Sequence, residues 1–364
     1  MGNESTAGMP RSMDSAAVTA WSLAAAERTL RPEFTGSARE YFRIWIVNLF
    51  FSLITLGIYS AWAKVRKKRY FYGSTRLDGD SFDYFASPKA ILKGRVLAFG
   101  VFAVYGIAGQ LYPAAVYAFW AAGLLLLAPL VVRAIAFNAR NSAWRGLRFD
   151  FTATTRQAFG VYLGTLLLVV VTLGLAYPLF EARYRSFVVR NHAFGTSRFG
   201  CELPARRFFG IYFRGGLILL AFAVPTGVLA GFALQRLQLP EALGWAAFLL
   251  PLLPLYLGYA VAYAYTQART ANLMWASAYG AGLRFSSTLE ALKLARLYVG
   301  NLLAAAASAG LLIPWAAVRT LRYRLENFAV IVEGAPVHEA SPALAPVGAS
   351  GQELGDFFNV DLGI

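Results

Sequence analysis

One stretch occurs three times and constrains this chain more than any other feature. Its first copy runs Asn48-Leu49-Phe50-Phe51-Ser52-Leu53-Ile54-Thr55-Leu56-Gly57, then Ile58-Tyr59-Ser60-Ala61-Trp62-Ala63, then Lys64-Val65-Arg66-Lys67-Lys68-Arg69-Tyr70. An apolar helix meets a Leu-Gly break, then aromatics, then a burst of cations. At one constant offset Asn48 corresponds to Asn301, Gly57 to Gly310, Trp62 to Trp315, Arg66 to Arg319 and Arg69-Tyr70 to Arg322-Tyr323. At another, Gly146-Leu147-Arg148-Phe149 falls on Gly282-Leu283-Arg284-Phe285, Gly174 on Gly310, Pro178 on Pro314 and Arg183 on Arg319. Copy two departs most, with Thr165 for the Asn and Leu179 for the Trp. A glycine after the last helical residues ends a helix. Pro178 and Pro314 stand where proline favours a first turn. Each copy therefore reads as helix, break at Gly57, Gly174 or Gly310, and a short second helix carrying cations.

The apolar parts of these copies are as long as membrane spans. Of 364 residues, 58% are hydrophobic, above the ~45–50% of soluble domains. Mean hydropathy is +0.51. Val96–Val132, Gly215–Gln235 and Ala242–Ala268 carry no charge. A bilayer core of ~30 Å takes about 20 apolar residues as a helix. Seven segments qualify: 42–63, 96–112, 114–133, 159–180, 215–235, 242–265 and 297–318. The expected fold is thus an all-α polytopic membrane protein. It has about seven hydrophobic helices in internal repeats, with short β-hairpins on the cytoplasmic face.

The hairpins are read from the polar connections. Tyr72 to Tyr84 alternates apolar and polar residues around Asp78-Gly79, a two-residue hairpin signature. Trp144 to Thr152 alternates likewise, and Phe328 to Val332 less cleanly. The expected organisation is a flexible tail, 1–31, then repeat unit one, 32–145, unit two, 146–281, and a partial third, 282–334. A short helix is placed over Ala16–Leu30 within the tail. A flexible linker and acidic-apolar tail, 335–364, close the chain, and the tail is read as a latch for the basic surface. No cleavable signal peptide is expected in residues 1–31.

Net charge is +15. In a membrane protein this places Lys and Arg on cytoplasmic loops, beside anionic headgroups. Anionic membrane lipids are the expected partners, and nucleic acid is not one. The single cysteine, Cys201, excludes an internal disulfide, and His192 and His338 are the only histidines. No cofactor or metal is expected, and no oligomeric state is assigned.

These residues carry a resemblance. Tyr41-Phe42 through Asn48, Thr55-Leu56-Gly57-Ile58-Tyr59, Trp62-Ala63-Lys64-Val65-Arg66 and Arg69 to Thr75 resemble the YjgN-like family of bacterial inner-membrane proteins. So do Phe82-Asp83-Tyr84, Lys93-Gly94-Arg95 and the ending Phe357 to Ile364. The similarity covers about 32–334 plus that ending. It implies a multi-pass protein of the bacterial inner membrane, and it implies no activity, because the family is uncharacterised.

Two topologies fit. If all seven segments span, copies one and two point in opposite directions, as in inverted-repeat transporters. The cations after copy two, from Arg183 to Arg214, then lie outside, against the positive-inside rule. If the three copies do not fully cross, every basic segment shares one side.

Candidate sites follow. Lys64, Arg66, Lys67, Lys68, Arg69, Arg183, Arg319 and Arg322 are placed at lipid phosphate depth, for headgroup or anion contact. Asn48, Thr55, Thr165, Thr172, Asn301 and Ser308 are polar positions inside apolar segments. They serve either helix–helix hydrogen bonding or a polar pathway. Gly57, Gly174, Gly310, Pro178 and Pro314 are the break residues. Arg133 and Arg269 end equivalent helices, as headgroup anchors or a paired anion gate. Gly160/Gly164 and Gly227/Gly231 have the spacing of close helix packing. His192 reads as a surface histidine, and Asp78, Asp80 and Asp83 as turn residues. No G-x-S-x-G, Walker A or H-E-x-x-H pattern occurs, so no catalytic residue is assigned and no enzyme is expected. The leading reading is transport or permeation of an anionic small solute or lipid. The alternative is a structural or lipid-organising membrane protein with no transported substrate.

Overall fold

The structure is a computed structural model that describes residues 27–236 and 252–332. Strands β1 (Arg28–Leu30) and β2 (Glu33–Phe34) come first. Five helix pairs follow, each leading into strand structure. The first is α1 (Ala38–Ile54) with α2 (Ser60–Gly73), then β3 (Thr75–Leu77) and β4 (Asp80–Tyr84). The second is α3 (Pro88–Leu111) with α4 (Ala115–Arg140), then β5 (Ser142–Trp144) and β6 (Leu147–Phe151). The third is α5 (Thr155–Val171), π-helical over Gly160–Thr165, with α6 (Tyr177–Asn191). It leads into β7 (His192–Phe194), β8 (Ser197–Arg198) and β9 (Gly200–Cys201). The fourth is α7 (Ala205–Arg236) with α8 (Leu252–Ala276), then β10 (Ala278–Gly280) and β11 (Leu283–Ser287). The fifth is α9 (Ala291–Ala307) with α10 (Ile313–Glu326), then β12 (Phe328–Val332).

Every strand pairing is antiparallel, and the order is circular. One sheet runs β2-β3-β4-β5-β6-β7-β8 and the other β9-β10-β11-β12-β1. The chain itself joins them, through Phe199 between β8 and β9 and through Arg31-Pro32 between β1 and β2. Pro32 cannot donate to a ladder, so it stands where one strand leaves one sheet for the other. Closure comes from Arg28↔Val332 and Leu30↔Val330. The tight turns are chemically specified. Asp78-Gly79, Arg145-Gly146 and Ala281-Gly282 hold positive φ at both residues, the two-residue loop that matches strand twist. Both ends of each helix pair therefore rest on one β layer.

This corrects the fold expectation. Among the described residues the protein is not seven apolar helices but ten helices on two antiparallel sheets, of five and seven strands. Among the described residues, three helices are long and apolar enough to cross a membrane: Pro88–Leu111, Ala115–Arg140 and Ala205–Phe232. The segments 42–63, 159–180 and 297–318 are each two helices joined by a break. Apolarity alone could not register a reversal, because residues on both sides of each break are apolar. Residues 28–30, placed in the tail, form β1. The remainder of the Ala16–Leu30 helix, the linker and the C-terminal latch lie mostly or wholly outside the described residues.

Internal packing is concentrated near the β layer. Val131, Ile135, Phe151, Tyr162, Phe180 and Phe187 form one cluster; Val65, Tyr84, Ile91 and Phe137 form another. Away from it the helices present Phe99, Phe102, Leu125, Val228 and Leu229 outward. Apolar surface of that extent belongs against lipid or a partner. Gly160, Gly164, Gly227 and Gly231 have open space where a Cβ would stand, so none marks close packing. Gly258 does: its Cβ would lie 2.4 Å from Phe222 Cβ, where α8 meets α7.

Candidate functional site

The three breaks have the same geometry. At the first, Leu56 (φ 49°) and Gly57 (φ 89°) turn the chain; at the second, Leu173 (51°) and Gly174 (92°); at the third, Ala309 (48°) and Gly310 (90°). Two bonds close each helix end: Gly57 N–H to Ser52 O at 2.7 Å and Leu56 N–H to Leu53 O at 3.1 Å, with equivalents at Gly174 and Gly310. This is the paired 6→1 and 5→2 cap, with Leu56 rather than Gly57 in the left-handed C′ position. The glycine that marks each break thus stands one residue past the left-handed C′ position. Pro178 and Pro314 open α6 and α10 as their spacing implies.

Thr55, Thr172 and Ser308 complete the breaks. Thr55 Oγ1 donates to Phe51 O at 2.7 Å and accepts from Tyr59 N–H at 2.9 Å. Thr172 Oγ1 does the same with Leu168 O (2.7 Å) and Ala176 N–H (3.0 Å). Ser308 Oγ does so with Ala304 O (2.7 Å) and Leu312 N–H (2.9 Å). These hydroxyls staple two helices of one pair.

The other polar positions brace the returning helix. Arg319 Nη1 donates to Asn301 Oδ1 at 3.4 Å, while Asn301 Nδ2 reaches Thr320 Oγ1 at 2.9 Å and Ala316 O at 3.3 Å. Arg183 Nη1 reaches Thr165 Oγ1 at 3.4 Å. Asn48 is 7% exposed and its Oδ1 takes no hydrogen bond; its counterpart cation, Arg66, is exposed. The foot of two pairs is tied by one phenol each. Tyr70 Oη accepts from Ser37 N–H at 2.8 Å and donates to Ser37 O at 2.9 Å. Tyr323 Oη bonds Glu290 N–H (3.1 Å) and O (3.3 Å) in the same way.

The predicted cations divide. Lys68 is buried, donates to Asn138 Oδ1 at 3.2 Å and lies over the Tyr84 ring. Arg69 donates to Tyr84 O and Ala86 O. These two hold the fold together. Lys64 is half-buried, and Arg66 and Lys67 are exposed. Arg133 and Arg269 lie inside α4 and α8, not at their ends; both are exposed, with Arg269 over the Tyr265 ring. Asp78 pairs with Arg28 (2.5 Å) and Arg145 (2.8 Å), and Asp80 with Arg145 (2.5 Å). The Asp80 hydrogen bond leads in raising the Arg145 pKa. His192 is drawn in rather than solvated: its Nδ1 lies 2.7 Å from Val188 O, and burial lowers its pKa.

Arg319 and Arg322 meet residues the sequence reading missed. A groove of about 770 Å³ opens between the foot of α1 and the α9–α10 pair. Lys293, Arg296, Arg319 and Arg322 line it with Trp315 and Tyr323, against one carboxylate, Glu326. Arg319 stacks over the Trp315 ring at 5.1 Å from its centroid. Arg322 Nη2 donates to Gly36 O at 3.3 Å. Lys293 pairs with Glu290 at 2.7 Å, and that hydrogen bond raises its pKa. Arg296 is exposed and makes no hydrogen bond among the described residues. Lys293 and Arg296 sit near the start of α9, ahead of the repeated stretch; only the fold brings them to α10.

Helices of this length and outward apolarity, standing on a cation-rich β layer, define a helical membrane protein. Residues 29–357 match the family described as "Bacterial protein of unknown function (DUF898)". The chain belongs to that bacterial inner-membrane family, the YjgN-like proteins. Inner membrane protein YjgN of Salmonella typhimurium is 28% identical over 141 residues, 38% of this chain and 36% of that protein. Inner membrane protein YjgN of Escherichia coli O157:H7 is 26% identical over 145 residues, 40% of this chain and 36% of that protein. The matched stretch thus spans little more than a third of those relatives. No solved structure matches.

Proposed function

We propose that this is a multi-pass inner-membrane protein, built by internal repetition, that gathers anionic lipid headgroups in a non-enzymatic, lipid-organising role. One observation carries the reading: the groove sets four cations against one carboxylate, beside Trp315 and Tyr323. Aromatic rings of this kind favour the membrane interface, and each Lys or Arg near an anionic surface contributes about 1 kcal/mol. Transport of an anionic solute or lipid needs a polar route past Asn48 or Asn301. Asn48 is packed, and both amide hydrogen bonds of Asn301 go to α10, which favours organisation over passage.

The test uses the full chain in nanodiscs of mixed zwitterionic and anionic phospholipid. Lys293→Gln with Arg296→Gln removes two exposed cations worth ~2 kcal/mol together. Retention of anionic lipid should fall about thirty-fold. Unchanged retention refutes the reading. Counterflow of a labelled anion in proteoliposomes, absent from protein-free vesicles, would replace it with transport.

A further inference from the structure

We propose that the three short helix pairs enter only the leaflet next to the β layer and turn back within its upper acyl region. The partner of their tips is therefore the acyl chains of one leaflet. The inference goes beyond the groove and does not depend on what the groove binds.

Four observations carry it. First, the strand order is circular, so α1–α2, α5–α6 and α9–α10 leave the β layer and return to it. Second, the tips are apolar and outward. Leu56 and Leu173 are each 94% exposed, with Ile58, Leu175 and Leu311 beside them.

Third, the N–H groups of the turns are bonded within the protein. Non-helical backbone is excluded from lipid because unpaired N–H groups are costly there. Here the N–H groups of Thr55, Leu56, Gly57, Ile58, Tyr59 and Ser60 are all bonded, Tyr59 by the Thr55 hydroxyl. The same holds from Thr172 to Tyr177 and from Ser308 to Ile313. In each case a Thr or Ser hydroxyl supplies the acceptor the backbone lacks. In lipid, where no water can take its place, that acceptor is indispensable.

Fourth, two rulers fix the depth. Arg66, Arg183 and Arg319 lie only ~10 Å along the returning helix from its first turn, so headgroup-level cations leave the tip less than a leaflet deep. Arg95 of α3 hydrogen-bonds Ser60 at the first tip. Beyond Arg95, α3 continues uncharged to Leu111, about 24 Å farther. The α3–α4 turn, with exposed Tyr112 and Tyr117, is thus placed at the far interface and the short tips well before it. Six helices of ~10 Å diameter then occupy roughly 500 Å² of one leaflet and none of the other.

The experiment places single cysteines in the full chain in sealed membrane vesicles of both orientations. Cys201 is fully buried and its thiol is pushed up to about 11, so the native background is silent. Ser81→Cys and Thr196→Cys mark the β-hairpins after the first and third pairs; Leu56→Cys and Leu173→Cys mark tips whose exposure means no packing is lost. A membrane-impermeant maleimide should label both hairpin positions from the same face and neither tip from either face. A fluorophore placed at either tip with a permeant reagent should be quenched by nitroxide on the upper acyl chain. Labelling of Ser81→Cys and Thr196→Cys from opposite faces overturns the proposal, as does labelling of a tip by the impermeant reagent. Loss of anionic-lipid retention in the groove variant with unchanged labelling leaves it standing.

Discussion

Thr55→Val isolates the hydroxyl that satisfies the Tyr59 N–H at the first break. Valine keeps the shape and removes both hydrogen bonds of Thr55 Oγ1. Phe51 O keeps a partner, since Thr55 N–H reaches it at 3.0 Å. Tyr59 N–H is left with none. An unsatisfied amide away from water costs about 1–3 kcal/mol, whereas a solvent-facing amide is rescued by water. In a bilayer Thr55→Val should therefore lower stability by about 2 kcal/mol, near thirty-fold in the equilibrium constant. Thr172→Val and Ser308→Ala should behave alike, and Thr55→Ser should be close to neutral. Reversible unfolding in bicelles, by steric trapping, measures this. A Thr55→Val cost below ~0.5 kcal/mol in bicelles would refute the reasoning.

Three further outcomes follow. Tyr323→Phe removes both foot bonds to Glu290 and should cost about 1 kcal/mol, read as earlier thermal unfolding. Gly258→Val drives side-chain atoms into Phe222; overpacking of this kind costs ~1–3 kcal/mol, and cysteine cross-linking of α7 to α8 should fall with it. His192 predicts acid sensitivity. Burial lowers its pKa below about 6.5 against the opposing effects of Val188 O and Asp150. The unfolded chain then binds the proton more readily. This stability is full above about pH 6.5 and is lost as pH falls through the lowered value. The Tm should drop between pH 7.5 and 5.5, and His192→Gln should flatten that part of the slope.

Much of this was legible in residue order, and the rest failed for physical reasons. Asp78-Gly79 and Arg145-Gly146 demand positive φ and lie between paired strands. The glycine breaks are equally visible, because glycine, proline and aromatics carry local signals. The direction after each break was not. A through-going helix and a returning one expose the same apolar pattern, so 42–63 looked like a span. Ring closure was also hidden: Arg28 to Leu30 has no strand signature of its own, and its partner, Val330 to Val332, lies at the other end of the described chain. The groove escaped for the same reason. Arg296 looks like one more cation until α9 folds against α10.

Leu56 offers a test whose sign alone decides the environment of the tip. It holds φ 49°, a left-handed conformation that costs an L residue about 1–2 kcal/mol and that Asn tolerates better. Leu56 is 94% exposed, so no internal contact accounts for a leucine there. Acyl chains do, since covering a leucine is worth ~1.5–3 kcal/mol. If the tip met water, Leu56→Asn would relieve strain, remove exposed apolar surface and stabilise by about 1 kcal/mol. In acyl chains the same substitution loses the leucine's burial and buries an amide at a cost of ~1–3 kcal/mol. We expect Leu56→Asn to destabilise the protein in bicelles by at least ~1 kcal/mol, and Leu173→Asn to do the same. Stabilisation at both positions would return the tips to water and remove the physical basis for their insertion.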